Sequence, residues 1–269
     1  MDNATCQDVL DRIAGLLRGR GQHYVVTPNA HHVLLFQKDP AFREVYARAA
    51  LVLPDGISMV LASKVMGGPL SERCCGADVF LDICRLCHQL KKRVFLLGGP
   101  PGSEGRAEAQ LARLFPGIAV ASYSPPFGFE EDEGETRKAV KAVRGFRTEV
   151  LVAGVGAPKS EKWVYRQRAR LGFKLALMLG STLGYLIGSR RRAPAWMRRL
   201  GLEWLFRLLQ EPRRLWKRYV IGNPAFLLLL ARERLRGKAA ALKSDSSPNP
   251  PTRERQKSKY ATISSSSPQ

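Results

Sequence analysis

The chain has 269 residues, 45% hydrophobic and 25% charged, enough for one large α/β domain or two small ones with a sizeable core. Its 44 Lys/Arg against 23 Asp/Glu leave a net charge of +21, of which residues 189–243 carry +12, residues 244–269 carry +2 and the first 188 residues +7. A basic block of this kind suits anionic phospholipid, a pyrophosphate group or nucleic acid, while the longest uncharged apolar runs, Leu175 to Ser189 and Tyr219 to Ala231, fall short of the ~20 residues of a membrane-spanning helix.

The start, Met1-Asp2-Asn3, lacks the basic-then-apolar character of a secretory leader. Gln7 to Arg18 places Val9, Leu10, Ile13, Leu16 and Leu17 at helical spacing. Tyr24-Val25-Val26 reads as a short buried strand stopped by Thr27-Pro28-Asn29, with a helix from Ala30 to the residue before Asp39-Pro40. Thr27 and Asn29 put a hydroxyl and an amide at a strand end and helix start, where free N–H groups favour an anion or a sugar oxygen; a simple capped turn fits the same residues. Ala41 to Ala50 reads as helix, Leu51-Val52-Leu53 as a second strand and Ile57 to Val65 as helix. Between the last two, Pro54-Asp55-Gly56 is either an ordinary turn or a carboxylate set at a strand end as a general base.

Five cysteines, an odd number with Cys74 next to Cys75, do not make a disulfide framework, and a reducing cytoplasm is expected. Asp78 to Lys91 is predicted helical; its Cys84 and Cys87 have no second such pair, which argues against zinc. Arg93 to Leu97 is a strand leading into Gly98-Gly99-Pro100-Pro101-Gly102, a loop able to cradle a diphosphate but neither GxGxxG nor a Walker sequence, and Ser103 is placed to cap the helix Glu104 to Phe115. Ile118 to Ser122 is a strand, the acidic run Glu130 to Glu135 a solvated loop, and Thr136 to Phe146 a helix. Glu149 to Val155 is a strand, followed by Gly156-Ala157-Pro158-Lys159, a strand-to-helix turn with a cation, and a helix from about Ser160; Leu175 to Gly180 is the last strand.

Strands alternating with helices imply an α/β fold, a Rossmann-like parallel sheet flanked by helices, with ligands at the carboxyl ends of the strands. After Gly188 the pattern turns to Arg-, Trp- and Leu-rich helices, with Trp196, Leu200, Trp204, Phe206, Leu208 and Leu209 forming an apolar face among arginines, continued by Leu215, Trp216, Tyr219 and Val220. The expected division is a catalytic core over residues 1–188, a basic amphipathic helical appendage over 189–243, and a disordered Ser/Pro-rich tail over 244–269. There is no DxD pair to hold a metal–nucleotide, and His31 and His32 come with no nucleophile set, so a departing diphosphate would be stabilised by arginines and backbone dipoles.

Taken in order, Thr27-Pro28-Asn29, Pro54-Asp55-Gly56, Glu72-Arg73-Cys74-Cys75-Gly76-Ala77-Asp78, Gly156-Ala157-Pro158-Lys159-Ser160-Glu161-Lys162-Trp163, Arg192-Ala193-Pro194, Gly201 to Arg207, Glu211-Pro212-Arg213-Arg214 and Arg218-Tyr219 resemble the blocks of the WecG/TagA/CpsF glycosyltransferase family (glycosyltransferase family 26). The resemblance implies an inverting, metal-independent transfer of a hexose (N-acetylmannosamine-type, glucose or uronic acid) from a UDP-sugar donor to an undecaprenyl-diphosphate-linked sugar, in cell-surface polysaccharide synthesis. It implies Asp55 as the base, Thr27, Asn29 and Arg73 in the same pocket, and an appendage that docks on an anionic membrane surface and brings Arg207, Arg214 and Lys217 to the diphosphate. Lys159 is the cation at the turn. Family members commonly carry Gln where this chain has Ser160, a position that would face sugar or acceptor. No cofactor is expected; the place of action is the cytoplasm, peripheral on the inner face of the cell membrane, with a homo-oligomer in solution as in some members. A basic nucleic-acid-binding protein is the alternative, disfavoured because the aromatics of the block are mostly tryptophans at core-like spacing. A nicotinamide-dependent Rossmann enzyme is disfavoured by the missing GxGxxG and ribose-binding acid.

Overall fold

The computed structural model describes residues 1–71, 74, 76–180 and 182–245, with side chains as far as residue 236. Helix α1 (Cys6–Arg18) leads to β1 (His23–Val26), α2 (Ala30–Lys38), α3 (Pro40–Ala47), β2 (Leu51–Val52), α4 (Ile57–Val65) and α5 (Gly76–Gln89). Then come β3 (Val94–Leu97), α6 (Glu104–Leu114), β4 (Val120–Tyr123), a 3-10 turn (Phe129–Glu131), α7 (Glu133–Gly145), β5 (Val150–Ala153), α8 (Lys159–Leu171) and β6 (Leu175–Met178). The remainder is helical: α9 (Thr182–Leu186), α10 (Ala195–Arg199), α11 (Glu203–Gln210), α12 (Pro212–Trp216), a π turn (Lys217–Ile221) and α13 (Gly222–Asp245).

The strands form one six-stranded sheet in the order β2-β1-β6-β5-β3-β4, every pair parallel. β3, β5 and β6 are apolar and buried at every position, as a sheet covered on both faces requires. Alternation along the strands divides the core in two. Val25, Leu96, Val152 and Leu177 pack with α1, α5 and α6 on one face; Val26, Leu97, Leu151 and Met178 pack with α3, α7 and α8 on the other.

Two local expectations are corrected. The acidic run Glu130 to Glu135 is no solvated loop: it supplies part of the 3-10 turn and the first turn of α7, whose N-cap is Asp132, with Oδ1 accepting Glu135 N–H at 3.0 Å. Acids there complement the helix dipole. Ser103 sits at the N-cap of α6 but makes no cap bond, because its backbone (φ −100°, ψ 4°) is not extended; its Oγ instead lies 3.3 Å from Ser124 Oγ. Cys84 and Cys87 are buried free thiols in α5, where burial pushes both upward in pKa.

Met1–Leu228 forms one compact unit and Leu229–Gln269 a second, described as far as Asp245 by the helix α13. Much of the segment expected as an appendage thus belongs to the first unit. Its seat there includes Gly201, with φ +73°, where a Cβ would lie 2.5 Å from Ile57 Cγ2; the close approach brings α11 to the start of α4, directly after Asp55-Gly56. The tail expected from residue 244 lies, beyond residue 245, outside the described residues. Among the described residues, no helix is long and apolar enough to cross a membrane.

Candidate active site

In an open parallel sheet the crevice for a ligand lies beyond the carboxyl ends of the strands, where neighbouring connections diverge. A cavity of about 720 Å³ occupies that place here, walled by the residues following four adjacent strands: Asp55 after β2, Thr27 and Asn29 after β1, Leu179 and Gly180 after β6, and Gly154 to Ala157 with Lys159 after β5. Arg207, Arg214, Lys217 and Arg218 line it from the basic helices.

The expected pocket residues come together with two exceptions. Thr27 is buried, its hydroxyl donating to Met178 O at 3.1 Å and tying β1 to β6. Asn29 is both the cap and a site residue: Oδ1 accepts His31 N–H at 3.1 Å at the start of α2, while Nδ2 donates to Asp55 Oδ2 at 3.3 Å. Lys159 pairs with Glu130 and lies 4.6 Å from the centre of the Phe127 ring at the rim. Lys217 lies 5.6 Å from the Trp216 ring, and Arg214 pairs with Glu211, which also holds Arg190 at 3.0 Å. Arg73 lies outside the described residues. Ser160 does not line the cavity. It is 2% exposed, and its Oγ accepts the N–H groups of Val155 and Gly156, each at 3.0 Å, so the hydroxyl is turned into its own loop, away from any sugar.

The loop Gly98 to Ser103 does not line this cavity either. Gly98 (φ +121°) packs so closely on the turn after β5 that a Cβ would fall 2.8 Å from the carbonyl carbon of Gly154, so this glycine serves backbone packing.

Asp55 is half-buried. Burial lifts its carboxyl above the usual carboxylate range; the Asn29 hydrogen bond and the Arg207 and Arg218 charges act against that rise, and Glu203 adds to it. A carboxylate held in this way is a stronger base than one in water, yet remains ionisable because two guanidiniums face it.

His32, Glu161, Arg190 and Arg218 also line this wall, and the sequence did not mark them as site residues. Arg218 donates through Nη2 to Asn29 Oδ1 at 3.1 Å. Glu161 is 4% exposed, and burial pushes its carboxyl up to about 7 despite the opposing backbone hydrogen bond and Arg218. Burial, with Arg218 and His31 beside it, pulls His32 down to about 3; His31 falls to about 4 from burial and Arg218. Glu161 had a signal: Ser160, Glu161, Trp163 and Val164 share the inward face of α8, and an acid on an inward face needs a reason.

The model of the glycosyl transferase WecG/TagA/CpsF family matches residues 1–240. The chain belongs to this family. It is a glycosyltransferase. Among its relatives, a Bacillus spizizenii protein named N-acetylglucosaminyldiphosphoundecaprenol N-acetyl-beta-D-mannosaminyltransferase is 31% identical over 215 residues, 80% of this chain and 81% of the relative. A Bacillus subtilis protein of the same name is 32% identical over 196 residues, covering 73% and 74%. One from Staphylococcus aureus is 27% identical over 245 residues, covering 89% and 92%.

Proposed function

We propose that this glycosyltransferase moves an N-acetylmannosamine-type hexose from a UDP-sugar to an undecaprenyl-diphosphate-linked N-acetylglucosamine, with inversion and without a metal, in the synthesis of a cell-surface polymer. The sugar classes are those in the names of the relatives; the observation that carries the reading to this chain is Asp55, a half-buried carboxylate at a strand end, in a cavity whose far wall is cationic. Asp55 takes the proton of the acceptor hydroxyl as that oxygen attacks the anomeric carbon from the face opposite the nucleotide, and the bond to the diphosphate oxygen breaks. Inversion follows from a single displacement.

Charge building on the departing diphosphate is met by Arg207, Arg214 and Lys217, joined by Arg190 and Arg218, with Arg73 as a further candidate. Guanidinium groups aimed at developing charge supply the stabilisation that a divalent ion provides in other transferases. Among the described residues, no group of three or more His, Cys, Asp or Glu side chains is arranged to hold a metal ion. Thr27 and Asn29 hold sugar oxygens at the edge of Asp55.

Trp196, Leu200, Leu209, Trp216, Val220 and Ile221 are exposed large apolar side chains interleaved with arginines, which supports peripheral docking on anionic lipid at the inner membrane face, where the acceptor is anchored. The test is a panel of UDP-sugars offered with a polyprenyl-diphosphate-linked N-acetylglucosamine, with and without EDTA, and the anomeric configuration of the product read by NMR. Inverted N-acetylmannosaminyl product, unaffected by EDTA, is expected. A retained configuration or complete loss in EDTA contradicts the mechanism; transfer of a different sugar revises only the donor.

A further inference from the structure

We propose that His32 and Glu161 are positioning residues for the reaction at Asp55, acting through Asn29; this rests on the reading of Asp55 as base. A file of polar contacts runs from the first turn of α8 to the end of β2. Asn29 N–H donates to His32 Nδ1 at 2.9 Å. With Nδ1 accepting, the neutral imidazole carries its proton on Nε2, which faces Glu161 Oε1 at 3.7 Å. On the other side, Asn29 Oδ1 receives both His31 N–H and Arg218 Nη2, each at 3.1 Å. Two donors on Oδ1 fix the amide orientation, so Nδ2 is the atom left for Asp55 Oδ2.

The ring of His32 has little freedom to swing. It stacks on Phe42 with centroids 5.8 Å apart at 21° and lies 6.2 Å from Tyr46. Burial and the neighbouring Arg218 and His31 keep it neutral, as the Nδ1 acceptor role demands.

Helix capping accounts for His32 Nδ1, but stability does not explain the buried Glu161 behind it. His32 Nε2 and Glu161 Oε2 are both buried without a hydrogen-bond partner, which disfavours the fold. An apolar side chain in place of Glu161 would serve the core better, while His32 Nδ1 also completes the N-terminal cap of α2. What the pair does is hold the backbone of Asn29 at the one point from which its amide reaches Asp55. Misplacing a reacting group by ~1 Å costs up to about 100-fold in rate, so a fixed Asn29 matters to catalysis far more than to folding.

The titratable and charged groups around the file are His31, Tyr46, Glu161, Glu203, Arg207 and Arg218. Of these, Arg207 and Arg218 act with the Asn29 hydrogen bond to hold Asp55 ionised, and Glu203 acts against it. Loosening Asn29 therefore raises the Asp55 pKa, and the acid limb of the rate profile moves to higher pH.

The test compares full-length His32→Ala, Glu161→Ala, Glu161→Gln and the double alanine variant with the unaltered enzyme, by initial rates over pH with a UDP-sugar and a lipid-linked acceptor. For His32→Ala and Glu161→Ala, kcat falls about 10- to 100-fold while the donor KM stays within about twofold, and the acid limb of kcat/KM shifts upward. Glu161→Gln, which keeps an oxygen for the Nε2 proton, retains most of the rate. The double variant is no slower than the slower single one, because both act on one contact. An unmoved acid limb, or losses that multiply in the double variant, overturns the inference. Thermal melting checks folding; should His32→Ala not fold, Glu161→Ala, which removes no atom of the His32–Asn29 bond but frees the ring that makes it, carries the same test. Full activity in Asp55→Asn defeats the reading of the base itself, whereas a dead Asp55→Asn beside normal His32 and Glu161 variants defeats this inference alone.

Discussion

Replacing Glu161 by Gln stabilises the protein, and does so in a pH-dependent way. Glu161 is 4% exposed, its Oε2 has no hydrogen-bond partner, and burial pushes its carboxyl from 4.5 to about 7. The unfolded chain thus gives up this proton near 4.5, while the folded chain holds it to about 7. Folding is not penalised below the lower value, is increasingly penalised between the two, and bears the whole penalty above the upper one. At about 1.4 kcal/mol per pKa unit, the shift amounts to about 3 kcal/mol at about pH 8 and to about 1 kcal/mol at about pH 5. Gln has nearly the same shape and does not ionise, so the variant escapes the penalty. The lowered His32 pKa acts at the acid end in both proteins and cancels from the comparison. Urea unfolding of the two proteins at both pH values reads the difference directly. A gap that does not widen with pH, or a wild-type protein that is the more stable at about pH 8, refutes the reasoning.

Gly98→Ala should cost roughly 2–4 kcal/mol in the same assay, since the residue has φ +121° and its new methyl would meet the Gly154 carbonyl carbon at 2.8 Å. Unchanged stability would show that the two turns are not pressed together. Arg218→Ala removes a donor from Asn29 Oδ1 and a cation that holds Asp55 ionised, so the acid limb of kcat/KM moves to higher pH; a limb that stays put or moves down contradicts the geometry. Trp196→Gln combined with Leu209→Gln changes two exposed side chains and should weaken binding to anionic vesicles about tenfold without altering the melting curve. Equal binding by the double variant removes this face from the docking surface.

The alternation of strands and helices was plain in the sequence because β3, β5 and β6 are uninterrupted apolar runs set between amphipathic segments. Their order in the sheet was not, since β1 lies beside β6 only through contacts far apart in sequence. Thr27, Asn29, Asp55 and Lys159 were legible as polar residues just past strand ends, the place where such folds bind ligands. Glu161 was legible only as an acid on the inward face of α8; that it, and not Ser160, lines the cavity is fixed by packing. Arg218 was named only as part of the Arg218-Tyr219 block, and among the neighbouring cations nothing local marks it as the one that reaches Asn29. The Glu130 to Glu135 run misled because acids that begin a helix resemble a polar loop until the Asp132 cap is seen. Gly98 misled in the other direction, serving close backbone approach to Gly154 rather than phosphate.

The central claim is that Asp55 removes the acceptor proton, and it is met most directly by single-turnover transfer in Asp55→Asn, with donor affinity measured on the same protein. The amide keeps the shape and the contact with Asn29 but cannot take a proton at neutral pH. Transfer slowed by about 100-fold or more, with UDP-sugar affinity within a few fold of wild type, is the expected result. Transfer at a near-normal rate contradicts the role assigned to Asp55.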